Sequence, residues 1–308
     1  MPDTKCPAKH VCGIVSILGL PNAGKSTLLN ALAGAKLAIV SDKPQTTRTS
    51  IQGVVTTAES QIVFIDTPGI HRSTNTFNRR MMSTIRAVLQ SLDAVLLVVD
   101  ATRSFTKQDT EAMDLVKKSG APAILLLNRI DRLEAKSRLL PLLEKYRGLH
   151  DFAAYIPISA ATGDGLEILR DAMMRLLPEG PPLYPPDYIT GQPERFLAAE
   201  LIREKVLAGT HHEVPHATAV LVEKWEESPG LLRIHAVIYV EKPGQKGILI
   251  GTGGSMMKRI GSEARLEMES FFGKKVHLEL FVKVRPNWRE SVEFLNEIDW
   301  PGMAGTEP

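Results

Sequence analysis

The chain has 308 residues, 44% hydrophobic and 23% charged, the balance of a folded soluble chain rather than a disordered or fibrous one. Thirty-seven Lys and Arg against 35 Asp and Glu leave a net charge of +2, so no overall field directs the molecule to nucleic acid or membrane. Two cysteines cannot staple a protein of this size, which excludes a disulfide-built scaffold.

In chain order, Lys5, Lys9 and the apolar run from Val11 to Leu20 imitate a signal peptide. The run ends in Pro21-Asn-Ala-Gly-Lys-Ser26, not in a small-residue cleavage site, and reads as a buried strand. Cys6 and Cys12 lack a second ligand pair and read as a tail thiol and a strand residue, not a zinc half-site. No apolar stretch nears the ~20 residues of a bilayer span, and cytoplasmic residence is expected. Strands are predicted at 12–18, 50–57, 61–66, 94–100, 122–128 and 154–158, and helices at 25–34, 77–90, 107–118, 134–147 and 164–177. The unbroken runs Ala94–Val99 and Ile124–Leu127 suit strands buried on both faces of a mostly parallel sheet. This alternation predicts a doubly wound α/β domain over residues 1–180.

From Pro178 to Pro193, six prolines and two glycines forbid a helix interior or central strand, so 181–192 is predicted to be a semi-rigid linker. Beyond it the order is helix 193–208, strands 216–225 and 231–241, helices 246–250 and 255–272, strand 275–285 and helix 288–297. That is a small α+β domain over 193–299, followed by a tail, 300–308. Met1–His10 and Met303–Pro308 read as disordered. Residues 1–182 carry a net +5 and 183–308 a net −3. Yet Lys242 to Arg289 holds ten basic and four acidic residues, a basic island of +6 in an acidic surrounding.

Gly19-Leu-Pro-Asn-Ala-Gly-Lys-Ser26 fits G-x-x-x-x-G-K-[ST] between a strand and a helix. Gly19, Leu20, Pro21, Asn22, Ala23, Gly24, Lys25, Ser26 and Thr27 are therefore expected to wrap a nucleotide's phosphates. Lys25 reaches the β and γ phosphates and Ser26 ligates Mg²⁺. Asp66, Thr67, Pro68 and Gly69 end the third strand. Asp66 is placed to hold Mg²⁺ through water, and the Gly69 N–H to sense the γ-phosphate. Asn128, Arg129 and Asp131 resemble the guanine-reading Asn-Lys-x-Asp, with Arg129 in place of Lys. An Asp131 carboxylate accepts from guanine N1–H and N2–H₂, donors that adenine lacks. Ser159 and Ala160 resemble the last base loop, where the Ala160 N–H would meet the guanine carbonyl.

In the loop Ser41–Arg48, a threonine completes the Mg²⁺ shell when the γ-phosphate is present, and Thr47 is preferred to Thr46. Ile70 stands where many GTPases place a water-orienting glutamine, so intrinsic hydrolysis is expected to be slow. The expected catalytic set is Lys25, Gly69 and Asn22, the last as a candidate ligand for K⁺.

Gly251, Thr252, Gly253 and Gly254 form a Gly-x-x-Gly turn between two helices, the KH signature that clamps about four nucleotides of a single strand. Lys258 and Arg259 are expected to meet phosphates, with Arg265, Lys274 and Lys275 nearby. His212-Glu-Val-Pro-His216 matches H-E-x-x-H, but Pro215 forbids the continuous helix that zinc-protease chemistry requires. His211, His212 and His216 read as loop and strand-start residues.

Taken together, Gly19–Ser26, Pro44-Gln-Thr-Thr-Arg48, Asp66-Thr-Pro-Gly-Ile-His71, Asn128–Asp131, Gln245–Gly254 and Val282-Lys-Val-Arg-Pro-Asn-Trp288 resemble the Era family of bacterial ribosome-assembly GTPases over about residues 11–298. The resemblance implies a P-loop GTPase domain followed by a type II KH domain, working as a monomer with GTP, GDP and Mg²⁺. It implies binding of the 3′ end of 16S rRNA, a role in its processing and in 30S subunit biogenesis, and peripheral contact with the inner membrane. On the residues alone two other functions stay open: a non-catalytic module sensing the GTP/GDP ratio, which Ile70 permits, and a GTPase acting on another RNA.

Overall fold

The computed structural model describes residues 10–70, 75–90, 92–299 and 303. Cys6, His71 and the terminal tails, Met303 apart, lie outside the described residues. The chain divides into two compact units: Met1–Ala38, Thr47–Arg72 and Met81–Gly191 in the first, and Ile39–Thr46, Ser73–Arg80 and Gln192–Pro308 in the second.

The first unit is built on β1 (Val11–Gly19), β2 (Ile51–Thr56), β3 (Ser60–Asp66), β4 (Ala94–Asp100), β5 (Ala123–Asn128) and β6 (Ala154–Pro157). The sheet order is β2-β3-β1-β4-β5-β6, parallel throughout except for the β2–β3 pair. Its helices are α1 (Lys25–Ala33), α2 (Thr76–Val88, within this unit from Met81), α3 (Lys107–Ser119), α4 (Leu139–Arg147) and α5 (Leu166–Leu176). All seven residues of β4 and all six of β5 are buried, as an unbroken apolar run in a covered parallel sheet requires. Leu18, Val95, Leu97 and Leu125 pack with Ile85 of α2, Met113 of α3 and Tyr146 of α4 in one core. The chain crosses from β3 over β1 to β4, so the carboxyl ends of β1, β3, β4 and β5 share the edge where open α/β sheets take ligands.

Two expectations change here. The helix predicted from 134 begins as α4 only at Leu139, after a separate 3₁₀ turn at Lys136–Arg138. Pro141 tolerates only the first turn of a helix, so it sets where α4 starts. The proline-rich stretch predicted as a linker lies along β2 and β3 and belongs to the first unit up to Gly191. Gln61 of β3 accepts the Leu183 and Tyr184 N–H groups at 2.7 and 2.8 Å and donates to the Tyr184 carbonyl at 2.8 Å. The Val54 N–H of β2 donates to the Ile189 carbonyl at 2.7 Å. Proline removes donors but leaves carbonyls, and strand groups take up what remains.

The second unit runs α6 (Glu194–Gly209), β7 (Ala219–Ser228), β8 (Leu231–Val240), α7 (Pro243–Ile250), α8 (Ser255–Phe272), β9 (Lys275–Val284) and α9 (Val292–Glu297). Its sheet is β7-β8-β9, antiparallel and then parallel. A parallel β8–β9 pair needs a crossover, and the α7–α8 pair supplies it. β7 starts later than predicted because residues 212–217 form turns around Pro215; His211, His212 and His216 sit outside any strand. The predicted helix 288–297 is a 3₁₀ turn at Trp288–Glu290 and then α9, capped by the Ser291 hydroxyl.

Trp288 is fully buried, donates from Nε1 to the Ala217 carbonyl at 2.9 Å, and meets the rings of Phe77 and Phe294 edge-on at 5.7 and 5.9 Å. Replacing Trp288 by Ala removes both the ring and the donor. It is expected to lower unfolding free energy by roughly 3–5 kcal/mol in denaturant titration.

Candidate functional site

The phosphate loop joins β1 to α1. Gly24 holds φ +95°, and a Cβ there would come within 2.2 Å of the Asn128 amide nitrogen, so neither the backbone nor the space admits a side chain. Leu20 and Ala23 are buried and anchor the loop, while Ser26 and Thr27 are half-buried in the first turn of α1. Lys25 is buried and donates to the Leu20 carbonyl at 3.1 Å, folded back over its own loop. Burial lowers its pKa, with Asp66 opposing.

Ser26, Thr47 and Asp66 converge. The Ser26 hydroxyl donates to Asp66 Oδ2 at 2.7 Å, the Thr47 hydroxyl reaches the same oxygen at 3.3 Å, and the two hydroxyls lie 2.8 Å apart. Thr46 is turned elsewhere, donating to the Lys43 carbonyl at 2.6 Å. Asp66 is fully buried, and its Oδ1 has no hydrogen-bond partner among the described residues. Burial pushes its carboxyl up to about 6, against the lowering effects of Lys25, Ser26 and Thr47. An orphaned carboxylate oxygen beside two hydroxyls is a hard-oxygen donor set, and it fits Mg²⁺. When bound, that ion neutralises charge on the β and γ phosphates.

The Thr67 hydroxyl is engaged by the protein: it donates to the Ile17 carbonyl at 2.9 Å and braces β3 on β1. Pro68 and Gly69 are buried, and Gly69 lies against Pro21 of the phosphate loop. Ile70 is also buried, in the core with Leu18, Leu20 and Ile85. It cannot face an attacking water.

On the base side, Asn128 is a strut. Its amide donates to the Ala23 carbonyl at 2.8 Å, and its oxygen accepts the Ala160 N–H at 2.9 Å. The Ala160 N–H, expected to meet the guanine carbonyl, is thus engaged by Asn128, and it reaches a base only as a shared donor or after that bond exchanges. Ser159 is buried and accepts the Thr162 N–H, shaping the same loop. Asp131 meets only Arg132, at 3.9 Å, among the described residues, which leaves its carboxylate oxygens open to a base edge.

Arg129 sits at φ +70° and donates to Asp100 at 2.8 Å and to the Asn22 carbonyl at 2.6 Å, tying the base motif to the phosphate loop. Asp100, which also accepts the Thr102 N–H and hydroxyl, is a residue the motif reading missed. Its signal was a carboxylate at the carboxyl end of a fully apolar strand.

In the second unit, Gly251, Gly253 and Gly254 all have positive φ. A Cβ at Gly251 would press on Met256, whereas one at Gly253 or Gly254 would meet nothing within 4 Å. The second half of the turn is bare toward solvent, with Thr252 and Lys258 exposed beside it. Ile248 and Ile250, half and more than a third exposed, are apolar neighbours that the charge count did not flag.

Seven of the ten basic residues of the island are ion-paired among the described residues. Arg259 reaches Glu263 at 3.9 Å, Arg265 pairs with Glu269 at 3.0 Å, Lys283 with Glu223 at 2.9 Å and Lys274 with Glu227. Lys275, expected near phosphate, lies 3.8 Å from Glu269. Lys242, Lys246 and Lys258 keep no ion pair among the described residues.

Residues 14–129 match the family described as 50S ribosome-binding GTPase, and residues 213–289 match the KH domain. GTPase Era of Syntrophus aciditrophicus is 47% identical over 297 residues, covering 96% of this chain and 97% of that protein. GTPase Era of Trichlorobacter lovleyi is 48% identical over 292 residues, 94% and 98% of the two chains. The chain belongs to the Era family.

A crystal structure of an Aquifex aeolicus Era variant bound to GDP and AlF₄⁻ matches with TM-score 0.91 at 38% identity, over 94% of this chain and 99% of that one. Era in complex with MgGDPNP and nucleotides 1506–1542 of 16S ribosomal RNA matches with TM-score 0.92, at the same identity and coverage. As an Era-family member the chain is a GTPase that works with GTP, GDP and Mg²⁺, and its second unit carries a KH domain.

Asp131→Asn presents an amide donor where a carboxylate accepted. It is expected to shift preference from guanine to xanthine nucleotides by roughly 10²- to 10⁴-fold in competition binding.

Asp66 gives a pH signature to the nucleotide- and metal-free protein. The folded state keeps a proton up to about 6 that an ordinary aspartate loses near 3.8. This stabilisation is therefore fully present below the lower value and lost as pH rises through the upper one. Relative to Asp66→Asn, the wild type is expected to lose on the order of 2–3 kcal/mol across that window in denaturant unfolding.

Proposed function

We propose that this chain is a GTP-hydrolysing switch whose KH unit binds the unpaired 3′ end of 16S rRNA, and that it assists processing of that RNA and biogenesis of the 30S subunit. The observation that carries the reading is the Gly251–Gly254 turn. Gly253 and Gly254 have no protein atom against which a side chain would clash, yet they stay bare at the head of α8. Such a surface lets a sugar–phosphate backbone approach closely. Exposed Ile248 and Ile250 flank it as apolar surface for unstacked bases.

The 16S fragment bound by a full-length structural relative supports the same target. The family description naming the 50S subunit covers only residues 14–129, whose phosphate-loop and base motifs many GTPases share, so it weighs less than likeness over the whole chain.

Lys25, the Gly69 N–H and Asn22 are assigned the catalytic roles, with Asn22 as a ligand for K⁺, and Ser26, Thr47 and Asp66 the metal. Ile70 offers no polar atom to a water, so the unaided rate is slow. Cytoplasmic residence as a monomer, with peripheral contact with the inner membrane, belongs to the same proposal and rests on family membership. No helix among the described residues is long and apolar enough to cross a membrane.

Gly253→Asp tests the carrying observation. It places bulk and negative charge at the clamp and is expected to weaken binding of a 16S 3′-end oligonucleotide by about tenfold or more, while GTP affinity stays the same. Calorimetry with wild type and variant, each in GDP and non-hydrolysable analogue forms, reads both. Equal RNA affinity for wild type and variant removes the Gly251–Gly254 turn as the RNA clamp.

A further inference from the structure

A hydroxyl can serve a metal only if the peptide that carries it is held in place. Within the second unit, the segment Ile39–Thr46, which ends one residue before Thr47, is fastened to one turn of α6. Arg203 of that turn is 2% exposed. Its Nε and Nη2 donate to the Glu200 carboxylate at 2.7 and 2.6 Å, and Nη2 donates also to the Thr46 carbonyl oxygen. The next residue, Glu204, accepts the Val40 N–H at 2.9 Å. Lys205 braces Glu204 at 3.1 Å and pairs with Glu267 of α8, so the clamp rests on two packed helices.

Burying an ion pair adds little stability, and an apolar residue would serve a plain helix contact as well or better. What the guanidinium adds is a directed donor at one carbonyl, on a rigid element. Nη1 of Arg203 is buried without a hydrogen-bond partner among the described residues.

We infer that Arg203 is a positioning residue for the GTPase site: by holding the Thr46 carbonyl it orients the peptide that delivers the Thr47 hydroxyl to Ser26 and Asp66. The inference rests on Thr47 being the metal-facing hydroxyl. The phosphate loop, Asn128 and Asp131 lie outside this segment, so GDP binding does not depend on the clamp. Preference for the triphosphate in Mg²⁺ does.

The test uses the full chain and fluorescent GDP and non-hydrolysable GTP analogue, titrated with and without Mg²⁺. Arg203→Ala is expected to lose about tenfold of the Mg²⁺-dependent preference for the triphosphate, the scale of one charge-assisted hydrogen bond, with GDP affinity held within about twofold. Arg203→Lys, which keeps a donor, restores most of it. Glu200→Gln, which loosens the guanidinium without emptying its site, shows an intermediate loss and decides the matter if the alanine variant does not fold. In nucleotide- and metal-free protein, amides of Ile39–Thr47 exchange hydrogen faster in these variants.

Thr47→Ala separates the two levels of the argument. If it loses the preference while the Arg203 and Glu200 variants keep theirs, Arg203 does not position Thr47 and the inference is overturned. If Thr47→Ala keeps the preference, the metal role of Thr47 falls first. A parallel fall in GDP and triphosphate affinity reduces Arg203 to a structural part and also overturns the inference.

Discussion

The nucleotide site depends on a carboxylate that is expensive to bury. Asp66 lies at the carboxyl end of β3 with no exposure, one oxygen shared by the hydroxyls of Ser26 and Thr47 and the other without a protein partner. Desolvation drives its carboxyl toward the neutral form, and nearby positive charge together with the hydrogen bonds of Ser26 and Thr47 opposes it. Lys25 supplies part of that charge, and a divalent cation supplies the rest. The same burial that makes the metal-free site uncomfortable therefore makes cation and triphosphate binding favourable together. The sheet order matters for this reason: it brings the ends of β1 and β3 side by side, so hydroxyls from two distant parts of the chain meet at one Asp66 oxygen.

The base side follows a different rule, in which polar side chains serve as mechanical struts. Asn128 ties Ala23 to Ala160, and Arg129 ties Asp100 to Asn22, so the loops that would enclose a nucleotide are already joined to one another. Asp131, by contrast, has only the adjacent Arg132 guanidinium, 3.9 Å away, as an ion-pair partner among the described residues. Residues that hold the pocket together are satisfied by protein, and the one assigned to read the base is left open. Preorganisation of this kind lowers the cost of ordering on binding.

The KH unit concentrates its distinctive surface in one turn rather than in a broad basic face. Counted along the chain, Lys242 to Arg289 is strongly basic, but in space Glu223 and Glu227 of β7, outside that segment, lie beside Lys283 and Lys274. What distinguishes the Gly251–Gly254 turn is its backbone: two glycines facing open space, next to exposed isoleucines. Close approach and apolar contact suit an unpaired strand whose bases are turned outward, and they tolerate a nearly neutral surface.

Much of this protein was legible in one dimension. The strands and helices of the first unit, the start of α4 apart, follow from apolar period and turn chemistry, because a doubly covered parallel sheet must be written as unbroken apolar runs. The phosphate loop, Asp66, Asn128, Asp131 and the glycine turn were legible because each is a local backbone requirement with a fixed spacing. Other features were decided only by folding, since each depends on partners far apart in sequence: the inward turn of Ile70, the hold of Arg129 on Asp100 and the packing of a proline-rich stretch onto β2 and β3. The pairing of the basic island was likewise invisible, because charge adds along a chain by neighbours in sequence but cancels in a fold by neighbours in space.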